Sequence, residues 1–259
     1  TGEKFPLPTK KGFKLVFVGA AILRKGVDVL LKAYGRAFSP EEDVSLVIKD
    51  HSKDVFYSGI KLKDEILKLA NDKTYPELIY IDRFLSTEEL ASLYRACDVG
   101  VFPYRAEGFS ITILESMACG VPPIVPKFGA CLDFCTSSNS LLVPVKRINV
   151  PVRRGFLINT LGFREDVEEV DFCEVSVDVL ASFLREAFNM SGRELERRSR
   201  EGVKTAHSNF KWSDSMAVMK KHLENLDRYK TPTRLRGKRA EMKKNRAKFE
   251  VAKELFLNR

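Results

Sequence analysis

Six short apolar runs, separated by segments that mostly show helical spacing, leave this chain few folds to choose from. The runs are residues 14–18, 44–48, 78–81, 99–102, 122–125 and 141–143. Between the first two, Val27, Leu30, Leu31 and Tyr34 recur at helical spacing across residues 26–38. Residues 61–69 form a short amphipathic pattern, and Ser86 with Glu89 three positions on reads as a capping box. Strands that are apolar throughout are buried on both faces, which is the habit of a parallel sheet covered by helices on each side. The expectation is therefore an α/β fold, a doubly wound parallel sheet of Rossmann type. In such sheets ligands bind beyond the carboxyl ends of the strands. Gly19, Lys49, Arg83 and Glu107 all fall just after strand ends, so four loops converge on one rim.

Of the 259 residues 44% are hydrophobic, enough for one large domain or two small ones. No apolar run approaches the roughly 20 residues that span a bilayer, and no secretory signal is visible. Thr1 is not a methionine, so the natural start is expected further upstream. The five cysteines show no zinc or CxxC spacing, and no His/Cys/Asp/Glu grouping suggests a metal. They read as reduced thiols of a cytoplasmic protein, with Cys131 and Cys135 spaced for one helix face. His51, His207 and His222 have no partner pattern and read as structural or surface residues.

The densest chemistry lies in residues 107–120, Glu-Gly-Phe-Ser-Ile-Thr-Ile-Leu-Glu-Ser-Met-Ala-Cys-Gly. Glu107 follows a buried strand, and Glu115, seven residues further, falls within a helix that starts near Ser110 and ends at Gly120. Gly108 opens the backbone where a side chain would block a ligand. The free N–H groups and positive dipole end of the helix suit a phosphate. A carboxylate on either side suits the hydroxyls of two sugars. A ribose, a diphosphate and a hexose together make a nucleotide sugar.

This run resembles the Glu-x7-Glu motif of retaining glycosyltransferases of the GT-B fold, family GT4, with Ser110 for the usual glycine and Ser116 for the usual alanine. Residues 17–34, from Phe17-Val-Gly-Ala-Ala-Ile-Leu-Arg-Lys-Gly onward, are similar to the family's first strand, phosphate loop and helix. Residues 93–104 are similar to the lead into its motif. The resemblance covers residues 13 to about 225. It implies a GT-B donor domain that binds a nucleoside-diphosphate sugar, with UDP or GDP as the nucleotide. It also implies metal-independent, retaining transfer of the sugar to an acceptor hydroxyl, the leaving diphosphate helping to take the acceptor proton.

The resemblance also implies roles. Glu115 would bind the ribose, and Glu107 would lie near the transferred sugar. Lys25 would pair with the diphosphate and stabilise the charge left on it. Gly108, Phe109, Ser110 and Ile111 would offer backbone N–H groups. Arg83 and Phe84 sit where the family seats the base, with Phe84 either stacking or anchoring the loop. Gly19 belongs to the phosphate loop. Arg24 either joins Lys25 or faces solvent. Most relatives carry arginine directly after that glycine, but Ala20 stands here. Lys49 either compensates or is an exposed strand-end lysine.

The expected layout is a linker at 1–12, the nucleotide-sugar domain at 13–212, a closing helix at 213–229 entered through Phe210-Lys-Trp212, and a basic helical tail at 230–259. Residues 146–169 show no clear period and read as a wrapping loop, followed by helices over 175–188 and 193–206. The tail holds eleven basic and three acidic residues, +8 of the chain's +9. With Phe249, Ala252 and Phe256 it reads as a solvated helix, as one packing on another domain, or as a contact to the inner face of an anionic membrane. Nucleic-acid binding is disfavoured, because the tail carries no recognisable module. An acceptor-binding domain would precede Thr1. The competing functions are a nucleotide-sugar epimerase-like enzyme and a non-catalytic nucleotide-sugar-binding module.

Overall fold

The computed structural model describes residues 2–51, 62–151 and 169–225. All six apolar runs are strands: β1 (Phe13–Gly19), β2 (Val44–Asp50), β3 (Leu78–Ile81), β4 (Val99–Val101), β5 (Pro123–Pro126) and β6 (Leu141–Val143). They form one parallel sheet in the order β3-β2-β1-β4-β5-β6. β1 lies at the centre. The chain winds outward from it in one direction through β2 and in the other through β4, so a crevice opens between the carboxyl ends of β1 and β4.

Helices α1 (Val27–Ala37), α2 (Lys63–Ala70), α3 (Thr87–Arg95) and α4 (Ile111–Ala118) connect the strands. Every residue of β2 is buried, as expected of a strand covered on both faces. Leu30, Leu31 and Tyr34 of α1 join Leu15, Phe17, Leu46 and Ile48 of the sheet in the main core. The capping box is present: Ser86 Oγ accepts from Glu89 N–H, and the Glu89 carboxylate accepts from Ser86 N–H at 2.9 Å. Residues 2–12 carry no helix or strand. They lie against the domain, Phe5 N–H donating to Ser92 O at 3.0 Å and Lys11 Nζ to Pro40 O at 2.9 Å.

The stretch expected to wrap as a loop begins differently. Residues Lys146–Pro151 form β7, which pairs antiparallel with β8 (Glu169–Glu174), Ile148 opposite Phe172. The alternation is short and its partner is some twenty residues away, so no hairpin signal marks it in the sequence. Residues 152–168 lie outside the described residues.

Helices α5 (Val177–Asn189) and α6 (Gly192–Asn209) follow, with Leu180, Leu184 and Ala187 of α5 in the core beside α1. All five cysteines are free thiols, and only Cys119 is not fully buried. Contacts divide the chain into two units, residues 1–208 and 209–259. The second contains α7 (Trp212–Glu224), on which Trp212, Met216 and Met219 are exposed. Residues 226–259, including the basic tail and its Phe249, Ala252 and Phe256 stripe, lie outside the described residues. Among the described residues no helix is long and apolar enough to cross a membrane.

Candidate functional site

The crevice is built by two loops that are locked to each other. After Gly19 the chain makes one tight turn, Leu23–Lys25, and Gly26 at φ 74° releases it into α1. The buried Asp50 at the end of β2 braces this loop from one side. Its Oδ1 accepts from Ala21 N–H at 2.9 Å and its Oδ2 from Tyr80 O–H at 2.7 Å.

Arg105, in the loop after β4, braces it from the other. Its N–H donates to Arg24 O at 2.8 Å and its Nη1 to Leu23 O at 2.5 Å. The same guanidinium grips Asp28 with two bonds of 2.7 and 2.9 Å and reaches Glu174 at 3.0 Å. This fork geometry is what arginine supplies and lysine does not. At Gly26 a Cβ would sit 1.8 Å from the Pro103 carbonyl oxygen, so the loops touch backbone to backbone.

The lock delivers charge to one point. Glu107 Oε1 is ion-paired with Lys25 Nζ and lies 3.2 Å from Arg24 Nη1, which also donates to Ala106 O at 2.8 Å. All three side chains are largely buried, so both cations of the first loop turn inward. Lys25, Glu107 and Ser110 line a narrow pocket with Phe17, Phe102 and Tyr104. One carboxylate between two cations leaves a net positive charge at the mouth of α4.

Ser110 is the N-cap of α4 and lies in the left-handed region (φ 69°, ψ 61°), but its side chain makes no capping bond. A glycine adopts that backbone without strain, which is a physical reason for the glycine usual in the resembled motif. Ser116 is different: it is buried and its Oγ donates to Val121 O at 2.9 Å.

A Cβ on Gly108 would meet no atom of the protein within 4 Å. The protein's own packing therefore does not require a glycine there, and the space beside it is open. Phe109 packs on Phe134 with the rings tilted and their centroids 5.5 Å apart, and Ile111 is half exposed. Gly19 ends β1, where a Cβ would lie 3.2 Å from the Phe17 ring and 4.0 Å from Lys25 Cδ. Glu115 is half-buried in α4; its carboxylate has no hydrogen bond or ion pair among the described residues, and burial pushes its pKa up.

Other expected residues lie elsewhere. Lys49 is fully buried in β2, not exposed at its end, and its Nζ donates to Asp50 O at 2.8 Å. Ala20 is likewise buried. Arg83 and Phe84 occupy the rim beyond β3, two strands from β1. Arg83 bonds Glu89 at 2.8 Å and Phe84 is 75% exposed. Asp50 and Arg105 were not expected. Their only sequence signal was an acid at the end of an apolar strand and an arginine two residues before Glu107.

The comparisons fit this geometry. The family described as Glycosyl transferases group 1 matches residues 3–149. The chain belongs to this family. D-inositol 3-phosphate glycosyltransferase 1 of Catenulispora acidiphila is 31% identical over 124 residues, 45% of this chain and 28% of that protein. The GDP-mannose-dependent alpha-mannosyltransferase of Corynebacterium glutamicum is 32% identical over 130 residues, 50% of this chain and 27% of that one. The match thus spans under a third of the length of these group 1 relatives. Among solved structures, the C-terminal domain of a group 1 protein, LpcC of Francisella tularensis, superposes with a TM-score of 0.54 at 18% identity. That alignment covers 80% of this chain and 96% of that one. Anabaena Alr3699/HepE, solved with UDP and glucose, gives 0.56 at 16% identity, over 83% of this chain and 49% of that one. These likenesses establish the group 1 fold, the Rossmann-like half of the GT-B architecture.

Proposed function

We propose that this chain is the donor-binding domain of a retaining glycosyltransferase of the GT4 type, which takes a sugar from UDP or GDP to an acceptor hydroxyl. The observation that carries this reading is Glu107 held between Lys25 and Arg24 at the β1/β4 crevice, beside the first turn of α4. In this reading the diphosphate lies at that helix N-terminus and Lys25 neutralises the charge that grows on it as the sugar–phosphate bond breaks. Arg24 acts with Lys25, so the second cation comes from this position rather than from position 20.

Glu115 takes the ribose hydroxyls with a carboxylate that is unpaired among the described residues. Glu107 faces the sugar. The open space at Gly108 lets the donor approach the backbone of residues 108–111. The loop of Arg83 and Phe84 takes the base. The acceptor is presented by a second domain. The relatives' names and the UDP held by the Anabaena protein support a nucleotide-sugar donor.

Calorimetric titration of the purified chain with UDP-, GDP- and ADP-sugars tests this reading. Binding of at least one of them, abolished or strongly weakened by Lys25→Ala, is expected. A folded chain that binds none of the sugars or their diphosphates would remove the reading.

A further inference from the structure

Ser110 and Ser116 stand one and a half turns apart where the resembled motif has glycine and alanine, and only one of them serves the fold. The Ser116 hydroxyl is bonded to Val121 O. The Ser110 hydroxyl is buried and has no hydrogen-bond partner among the described residues, in a residue only 7% exposed. Ser110 is also the sole non-glycine among the described residues in the left-handed region. A serine there carries two costs that a glycine would avoid, a strained backbone and an unmade buried hydrogen bond. Neither is offset by capping, since the side chain makes no bond to the helix it precedes.

The hydroxyl lines the same pocket as Lys25 and Glu107. The lysine, Arg24 beside it and the positive amino end of α4 favour an anion here. Glu107 is already neutralised by the two cations.

We propose that Ser110 is a donor-site residue whose hydroxyl donates a hydrogen bond to a phosphate oxygen of the bound nucleoside diphosphate. The inference rests on the functional reading above and extends it. The contact belongs to the side chain, so a glycine at this position cannot make it. The bound anion supplies the acceptor that the protein withholds, and the strained backbone holds the hydroxyl at the pocket instead of over the helix end.

The test uses the purified 259-residue chain and two variants, Ser110→Ala and Ser110→Gly, titrated with UDP and GDP. Alanine removes the hydroxyl and keeps the backbone strain, whereas glycine removes both. Loss of a charge-assisted bond weakens affinity about tenfold, and this loss is expected in both variants. The glycine variant is also expected to melt at a higher temperature than the parent, so that its stability rises while its affinity falls. A residue with a purely structural role does not produce that opposition. Wild-type affinity in both variants, with Lys25→Ala still weakened tenfold, overturns the role of Ser110 and leaves the site reading intact. A loss in only one variant also overturns it, because backbone and not hydroxyl is then at work. A parent chain that binds neither UDP nor GDP removes both inferences together.

Discussion

The two ends of α4 are built to opposite standards. At the carboxyl end the groups are bonded to one another. Ser116 bonds Val121 O, Cys119 N–H returns to Glu115 O, and Gly120 at φ 80° closes the helix in the left-handed conformation. Gly100 of β4 lies so near that a Cβ there would come within 2.7 Å of Ser116 Oγ. At the amino end lie a hydroxyl without a partner among the described residues, a glycine facing open space, a half-exposed isoleucine, and an ion pair beside them. One end completes the fold, and the other, on the function proposed above, faces the donor.

A glycine pair offers the largest contrast. Gly100→Ala drives a Cβ to 2.6 Å from the Phe102 ring. It should cost about 3 kcal/mol in urea unfolding, at the upper end of overpacking penalties. Gly108→Ala at the open end should cost under about 0.5 kcal/mol while weakening nucleotide-sugar binding. Equal stability losses at the two glycines would erase the contrast.

Next comes the charge. Lys25→Ala should weaken UDP or GDP binding about tenfold or more, a loss of about 1.5–3 kcal/mol, without lowering the melting temperature by a similar amount. Its counterpart, Glu107→Gln, frees Lys25 and Arg24 from their carboxylate. Free diphosphate should then bind as well or better, while the sugar-bearing donor binds less well. Parallel losses on both ligands would show that Glu107 does not divide its attention this way.

Ser116→Ala should cost about 1 kcal/mol of stability by orphaning the Val121 carbonyl, with calorimetric affinity for the diphosphate unchanged.

The smallest effect is a pH dependence at Glu115. Burial raises this carboxyl's pKa, so protonation sets in at a higher pH than for an exposed glutamate. Ribose hydroxyls donate to the charged form. Affinity should therefore hold steady above the raised pKa and fall as pH drops through it, by at most about tenfold per unit. Glu115→Gln should bind less tightly at neutral pH, flatten this profile, and gain stability there, since a charge that folding desolvates is gone. A sloping profile in the glutamine variant would assign the titration to another group.

The closed end and the open end were not equally legible in the sequence. The six strands, the capping box at Ser86 and the helix from Ile111 follow from local pattern, because burial on both faces and a cap are written in adjacent residues. The β7–β8 ribbon escaped, since its pairing joins distant segments. The exposed reading of Lys49 failed: strand periodicity does not say that β2 is buried through its last residue. Asp50 and Arg105 were invisible for a related reason. Each acts partly on backbone groups of another loop and partly on side chains distant in sequence, and neither kind of partner shows in the local pattern. Ser110 was readable as a departure from a motif, but its cost appears only with a dihedral angle and a count of partners.

The contact at Gly26 has a consequence for anyone who would rebuild this protein. With 1.8 Å between a hypothetical Cβ and the Pro103 carbonyl, residues 23–26 and 103–107 are a single part manufactured in two pieces. A loop borrowed from a relative and grafted after β1 alone would arrive without its mate. In this chain the two loops are therefore to be exchanged as a pair, and libraries that vary one of them alone sample mismatched halves.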